Sequence, residues 1–153
     1  MASNTSLVSL TVNSHNSHMG TISYRNRVET INAARTLTTG DSGKIFFLSS
    51  TNGAYAIGTP AVSNCSGVEY TFIIDEHTPT GVITINFTTA SLHFVQHDVD
   101  ESNGSNSATV AGKDSMTIRA TAAKGDQFQV ISDGTLWYGR VLSAVNDAFD
   151  HTA

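Results

Sequence analysis

The stretch Lys124-Gly-Asp-Gln-Phe-Gln-Val-Ile-Ser-Asp-Gly-Thr-Leu-Trp-Tyr-Gly-Arg-Val141 holds the only tryptophan and decides the fold class. Asp133-Gly134 tolerates the two positive φ values of a type I′ turn, and alternating apolar residues flank it on both sides. That combination predicts a β-hairpin. With Asp133 and Gly134 as a two-residue loop, Ser132 faces Thr135, Ile131 faces Leu136, Val130 faces Trp137, Gln129 faces Tyr138 and Phe128 faces Gly139. Side chains alternate across a strand, so Phe128, Val130, Trp137 and Val141 share a face expected to be buried, and Gln127, Gln129, Tyr138 and Arg140 share the other. Gly139 would leave the space that the Phe128 ring fills. Trp137 is therefore expected to anchor a core and to touch no ligand.

The same layout occurs earlier, in Phe47-Leu-Ser-Ser-Thr-Asn52-Gly53-Ala-Tyr-Ala-Ile-Gly58. Phe47, Asn52, Gly53 and Gly58 match Phe128, Asp133, Gly134 and Gly139 without a gap, which predicts two equivalent structural hairpins. Between them, Val68, Tyr70, Phe72 and Ile74 fall on one face of a strand, with Glu69 and Thr71 on the other, the pattern of an antiparallel strand wet on one side. Thr78-Pro-Thr-Gly81 reads as the turn of a further hairpin leading into Val82–Phe87.

Ser, Thr, Asn and Gly are abundant, charged residues are 14% and apolar ones 39% of 153. Long helix-forming runs are missing, so the expected class is all-β, a small antiparallel sandwich or barrel. Punctuation by Gly, Asn, Asp and Pro places strands near 20–25, 44–50, 54–58, 68–74, 81–87, 91–96, 115–121, 126–132 and 135–142. Residues 1–18 read as an extended N-terminal arm, 19–142 as the β domain and 143–153 as a tail with one helical turn near Ala144–Asp147. The run from Asp98 to Asn106 has no periodicity and reads as an exposed, mobile loop. In the arm, Leu7, Val8, Leu10 and Val12 give an alternation suited to adding a strand to a neighbouring protein.

A net charge of −5 repels a phosphate backbone, which argues against nucleic-acid binding. Arg25, Arg27 and Arg35 against Glu29 nevertheless make residues 1–35 slightly basic, a pattern suited to an acidic docking surface. No apolar run approaches the ~20 residues of a membrane-spanning helix, so no membrane partner is expected. The opening lacks the basic and apolar regions of a signal peptide, which makes cytoplasmic synthesis the expectation. Cys65 is alone, so no intrachain disulfide framework is possible; a small buried apolar role is expected for it.

Gly40-Asp-Ser-Gly43-Lys44 departs from a phosphate loop in glycine spacing, in Ile45 where a hydroxyl should hold magnesium, and in the strand that follows. Asp98, Asp100 and Asn103-Gly104 depart from a calcium loop, with Thr109 where the bidentate acid belongs. His93 and His97 share a strand face but lie ~13 Å apart along it, too far for one metal. No nucleophile elbow, zinc motif or acid pair has recognisable spacing. The expectation is a protein without enzyme activity, cofactor or metal.

Several segments resemble virion surface proteins of tailed bacteriophages: Thr36-Leu-Thr-Thr-Gly-Asp41-Ser-Gly43-Lys44, Phe46-Phe-Leu48, Tyr55-Ala-Ile57 with Pro60, Gly67 before Tyr70-Thr-Phe72-Ile73, and Lys124-Gly125-Asp126 with Asp133-Gly134-Thr135 before Trp137-Tyr138. In such proteins a D-S-G-K opening precedes one hairpin and a K-G-D … D-G-T-x-W hairpin closes the domain. A long shaft with repeats, normal in a tail fibre, is missing here, so the chain looks most like a capsid decoration, or cement, protein. The resemblance implies a homotrimer on the virion capsid surface that grips the major capsid protein, with Leu7, Val8, Leu10, Val12, Arg25 and Arg27 of the arm as capsid-binding residues. A tail-fibre or spike module that binds a host receptor and a lectin-like glycan-binding domain stay open as alternatives. For the latter, Tyr24, Tyr55, Tyr70 and Tyr138 are spread too evenly to mark a cleft.

Overall fold

A computed structural model describes residues 27–76, 81–88, 90–100 and 104–152, with the side chains of 98–100 and 104–108 excepted. In chain order the strands are β1 (Val28–Ile31), β2 (Arg35–Thr36), β3 (Lys44–Ser49), β4 (Tyr55–Gly58), β5 (Glu69–Glu76), β6 (Ile83–Asn86), β7 (Leu92–Asp100), β8 (Gly104–Lys113), β9 (Ser115–Ile118), β10 (Gln127–Ser132), β11 (Trp137–Ser143) and β12 (Phe149–Thr152). They form a seven-stranded sheet, β1-β3-β5-β10-β11-β7-β8, and a five-stranded sheet, β12-β9-β6-β4-β2. The protein is an all-β sandwich.

The sheets are mixed rather than antiparallel, and the path of the chain explains why. From β1 to β7 it changes sheet at every connection, and β3, β4, β5 and β6 each return beside the strand two before and run the same way. Hence β3 is parallel to β1 and β5, and β4 is parallel to β2 and β6. Asn52-Gly53 therefore closes no hairpin: β3 lies in the larger sheet and β4 in the smaller. Gly53 supplies a φ of +105° and its N–H donates to Ser50 O at a corner between sheets. Phe47 is half-buried while its neighbours Phe46 and Leu48 fill the core, so its equivalence with Phe128 fails. Gly58 lies inside the smaller sheet, its Cα beside Thr36. The expected hairpin at Thr78–Gly81 is likewise a crossing, from β5 to β6, and residues 77–80 lie outside the described residues.

The core is legible from the two-residue period. Tyr70, Phe72 and Ile74 of β5, Phe128 and Val130 of β10, and Trp137 and Val141 of β11 point inward from the larger sheet to meet Ile57, Ile83, Ile85, Met116, Ile118 and Phe149. Trp137 stacks on Tyr70 with ring centroids 5.6 Å apart and meets the edge of Phe87, which follows β6, at 5.8 Å. Cys65 is fully buried, as expected, and burial pushes its thiol pKa up.

Two segments expected to be irregular are strands. The supposed loop from Asp98 to Asn106 contains the end of β7 and the start of β8, paired antiparallel down to Asp100 with Gly104. The supposed tail contains β12, which pairs with β9; Phe149 is buried, and a turn with Asp147 at φ +64° replaces the expected helical turn. The N-terminal arm, the strand near 20–25, and with them Leu7, Val8, Leu10, Val12 and Arg25, lie outside the described residues.

Four charged residues clamp the sheets together at the β1 edge. Arg35 of β2 and Lys44 of β3 each pair with both Glu29 of β1 and Asp41 of the short 3₁₀ turn Thr39–Asp41. Burial works to raise the Asp41 pKa, but hydrogen bonds from Lys44 and from the Thr38 N–H and hydroxyl outweigh it and hold the carboxyl down at about 2. Lys44 and then Arg35 lower the Glu29 pKa in the same way. The Gly40–Lys44 segment thus spends its charges on its own fold, and Lys44 is occupied by carboxylates.

Candidate functional site

The β10–β11 hairpin exists, but its turn is longer than expected. Ser132 pairs with Trp137, leaving Asp133, Gly134, Thr135 and Leu136 as a four-residue loop. The Asp133 carboxylate explains the length: it accepts the N–H of Thr135 at 2.7 Å and of Leu136 at 2.8 Å, a local turn that competes with a tight I′ closure. Those backbone donors, Leu136 first, lower the Asp133 pKa. Gly134 alone takes a positive φ, +92°, which excludes a type I′ pair. The register is displaced by two residues, and a two-residue shift returns every side chain to the same face. Phe128, Val130, Trp137 and Val141 are accordingly buried, and the Phe128 ring still lies over Gly139, now from a diagonal position.

The opposite face of β10 and β11, extended by β7, is the candidate site. Register places its outward residues in three rows: Ile131, Tyr138, His93; then Gln129, Arg140, Val95; then Gln127, Leu142, His97. Arg140 is at the centre. Four of its eight neighbours in this grid are large hydrophobics left about half exposed: Val95 52%, Leu142 49%, Ile131 47% and Tyr138 45%. Two depressions flank the arginine, one of about 490 Å³ toward Val95, His97 and Leu142 and one of about 350 Å³ toward Ile131, Tyr138 and Glu69. Both are lined by Gln129 and Arg140. The Tyr138 hydroxyl donates to Asp133 at 3.2 Å, which ties this face to the turn.

Such a surface suits binding by contact. A sheet fixes the side-chain spacing, and arginine and tyrosine supply contact area and directed donors at low entropic cost. Among the described residues no three His, Cys, Asp or Glu side chains stand close enough to hold a metal.

The residues expected to carry function and those at this face barely coincide. Arg27 is exposed just before β1, its guanidinium 3.5 Å from Gly40 O. The hairpin residues Phe128, Asp133, Gly134, Trp137 and Gly139 serve the fold. So do the segments behind the phage resemblance: Asp126 is buried and accepts from Ala123 N, Ser143 Oγ and Ala144 N, joining the start of β10 to the end of β11. Alternation had already set Gln127, Gln129, Tyr138 and Arg140 on the outward face. Missing was β7, whose parallel pairing with β11 adds His93, Val95 and His97 and could not be read from spacing.

Comparison of the chain with protein families, with curated proteins and with solved structures gives no match.

Proposed function

We propose that the protein is a capsid decoration, or cement, protein of a tailed bacteriophage, binding the outer surface of the major capsid lattice and stabilising the head. The observation that carries this reading is the outward face around Arg140, where half-exposed hydrophobics sit on a rigid sheet with one formal charge at the centre. Apolar side chains in such an array lose free energy to water until a partner covers them. The resemblance of the DSGK and KGD…DGTLWY segments to virion surface proteins supplies the class of partner. In this reading the chain acts as a homotrimer on the virion, and residues 1–18 add a second grip through Leu7, Val8, Leu10 and Val12.

The test is cosedimentation with expanded, DNA-free capsids, alongside mass measurement of the oligomer free and bound. Saturable binding is expected, and deletion of residues 1–18 should leave the sandwich folded while weakening binding at least tenfold, about 1.4 kcal/mol. Failure of the intact chain to bind capsids defeats the reading. One observation favours a second reading, a tail-fibre or spike module: Tyr138 lines the smaller depression beside Glu69, Gln129 and Arg140, a mixture of aromatic and polar groups that a saccharide could use. Retention on host cells, with none on capsids, would select it.

A further inference from the structure

Arg140 stands out among the cations of the described residues by its position on the sheet. Arg35 and Lys44 share two carboxylates, Arg119 pairs with Asp150 and Lys124 with Asp75. Arg140, like Arg27 and Lys113, forms no ion pair within the described residues; what sets it apart is its place, exposed at the middle of the grid among half-exposed hydrophobics. Glu69, beside Ile131 on the adjoining strand, lines the same depression and still makes no ion pair with it. Every other member of the grid is an amide, a histidine, a tyrosine or an aliphatic side chain.

An unpaired guanidinium inside an apolar collar is the layout of an interface hot spot. The collar excludes water once covered, and a carboxylate then meets the arginine at low dielectric through two parallel N–H···O bonds. Covering Arg140 with a purely apolar partner would strand its charge, which costs several kcal/mol. The missing charge must therefore come from the occupant.

We propose that this face docks a protein segment presenting one Asp or Glu carboxylate to Arg140, with apolar side chains beside it for Val95 and Leu142 on one side and Ile131 and Tyr138 on the other. This rests on the decoration reading, which makes the segment part of a capsid subunit. The carboxylate fixes orientation, and the apolar neighbours supply the buried area.

The experiment measures binding of the full chain to expanded, DNA-free capsids for wild type, Arg140→Glu, Arg140→Lys and Arg140→Met, with thermal melts in parallel. No ion pair is broken within the described residues, so all four should melt together. Arg140→Glu should weaken binding at least a hundredfold, Arg140→Met about thirtyfold, and Arg140→Lys less than either because the charge is kept and the bidentate fork lost. Wild-type binding by Arg140→Glu, on capsids that the wild type occupies, overturns the inference and leaves the decoration reading standing. A change in oligomer mass with capsid binding intact would make the face a contact between copies, and selective loss of binding to acidic polysaccharide would make it a glycan site; either overturns the proposal. If the wild type itself ignores capsids, the decoration reading falls and the inference falls with it.

Discussion

The two faces of β11 differ in burial and in chemistry, yet they alternate residue by residue. Trp137, Val141 and Ser143 are almost inaccessible to solvent, whereas Tyr138, Arg140 and Leu142 are exposed. One face holds rings stacked about 6 Å apart, from Trp137 to Tyr70 and from Phe128 to Phe72. The other holds four half-exposed hydrophobic side chains, with amides and histidines between them, around a cation. In the proposed reading, the two-residue period of a strand separates stability from recognition with no change of backbone. Substitutions inward should act on unfolding, and substitutions outward on binding.

The largest break in that contrast comes from emptying the inner face. Trp137→Ala removes the ring between Tyr70 and Phe87 and should cost about 3–5 kcal/mol in chemical denaturation. Trp137→Phe should restore most of this, because the indole N–H finds no hydrogen-bond partner among the described residues and no such bond is lost with it. A wild-type melting temperature for Trp137→Ala, with binding abolished, would move recognition to the wrong face. Gly139→Ala probes the same packing from the other direction. Its new Cβ would lie 2.7 Å from the Phe128 ring and 3.2 Å from the Gln129 carbonyl, so the ring must shift, at a cost of about 1–3 kcal/mol. An unchanged stability would show that Phe128 has room to spare.

Those two sites were legible in the sequence, and the reason is instructive. The Asp133-Gly134 signal gave a register wrong by two residues, yet faces survive a two-residue error, so the core positions and the Phe128–Gly139 contact came through. Asn52-Gly53 presents the same local signal and closes no hairpin, because whether the next strand folds back or crosses to the other sheet depends on β5 and β6, tens of residues away. Strand β8 was hidden for a related reason. Gly-Ser-Asn-Ser-Ala-Thr-Val-Ala-Gly-Lys has little apolar alternation, and its pairing with β7 is what makes it a strand. The site was half legible: its β10 and β11 residues followed from alternation, and its β7 column did not.

A smaller effect belongs to the clamp at the β1 edge, away from the grid. The Asp41 carboxyl is more acidic folded, at about 2, than in an unfolded chain, so the unfolded state takes up protons first as pH falls. The clamp's contribution is complete above about pH 4, near the ordinary Asp pKa, and is lost as pH falls toward about 2, a change of about 1–2 kcal/mol. Denaturation at a series of pH values should show that loss in the wild type, and Asp41→Asn should flatten it. An equal acid loss in Asp41→Asn would place the titrating carboxylate elsewhere.

The smallest stability change and the most direct test coincide at Leu142, which is 49% exposed and shares the outer rows with Arg140. Leu142→Asp should unfold within about 0.5 kcal/mol of wild type, as exposed substitutions do. Its occupancy on expanded capsids should nonetheless fall at least about tenfold, because the apolar collar is broken and a carboxylate is set beside Arg140. Wild-type occupancy at wild-type stability would contradict the assignment of recognition to this face.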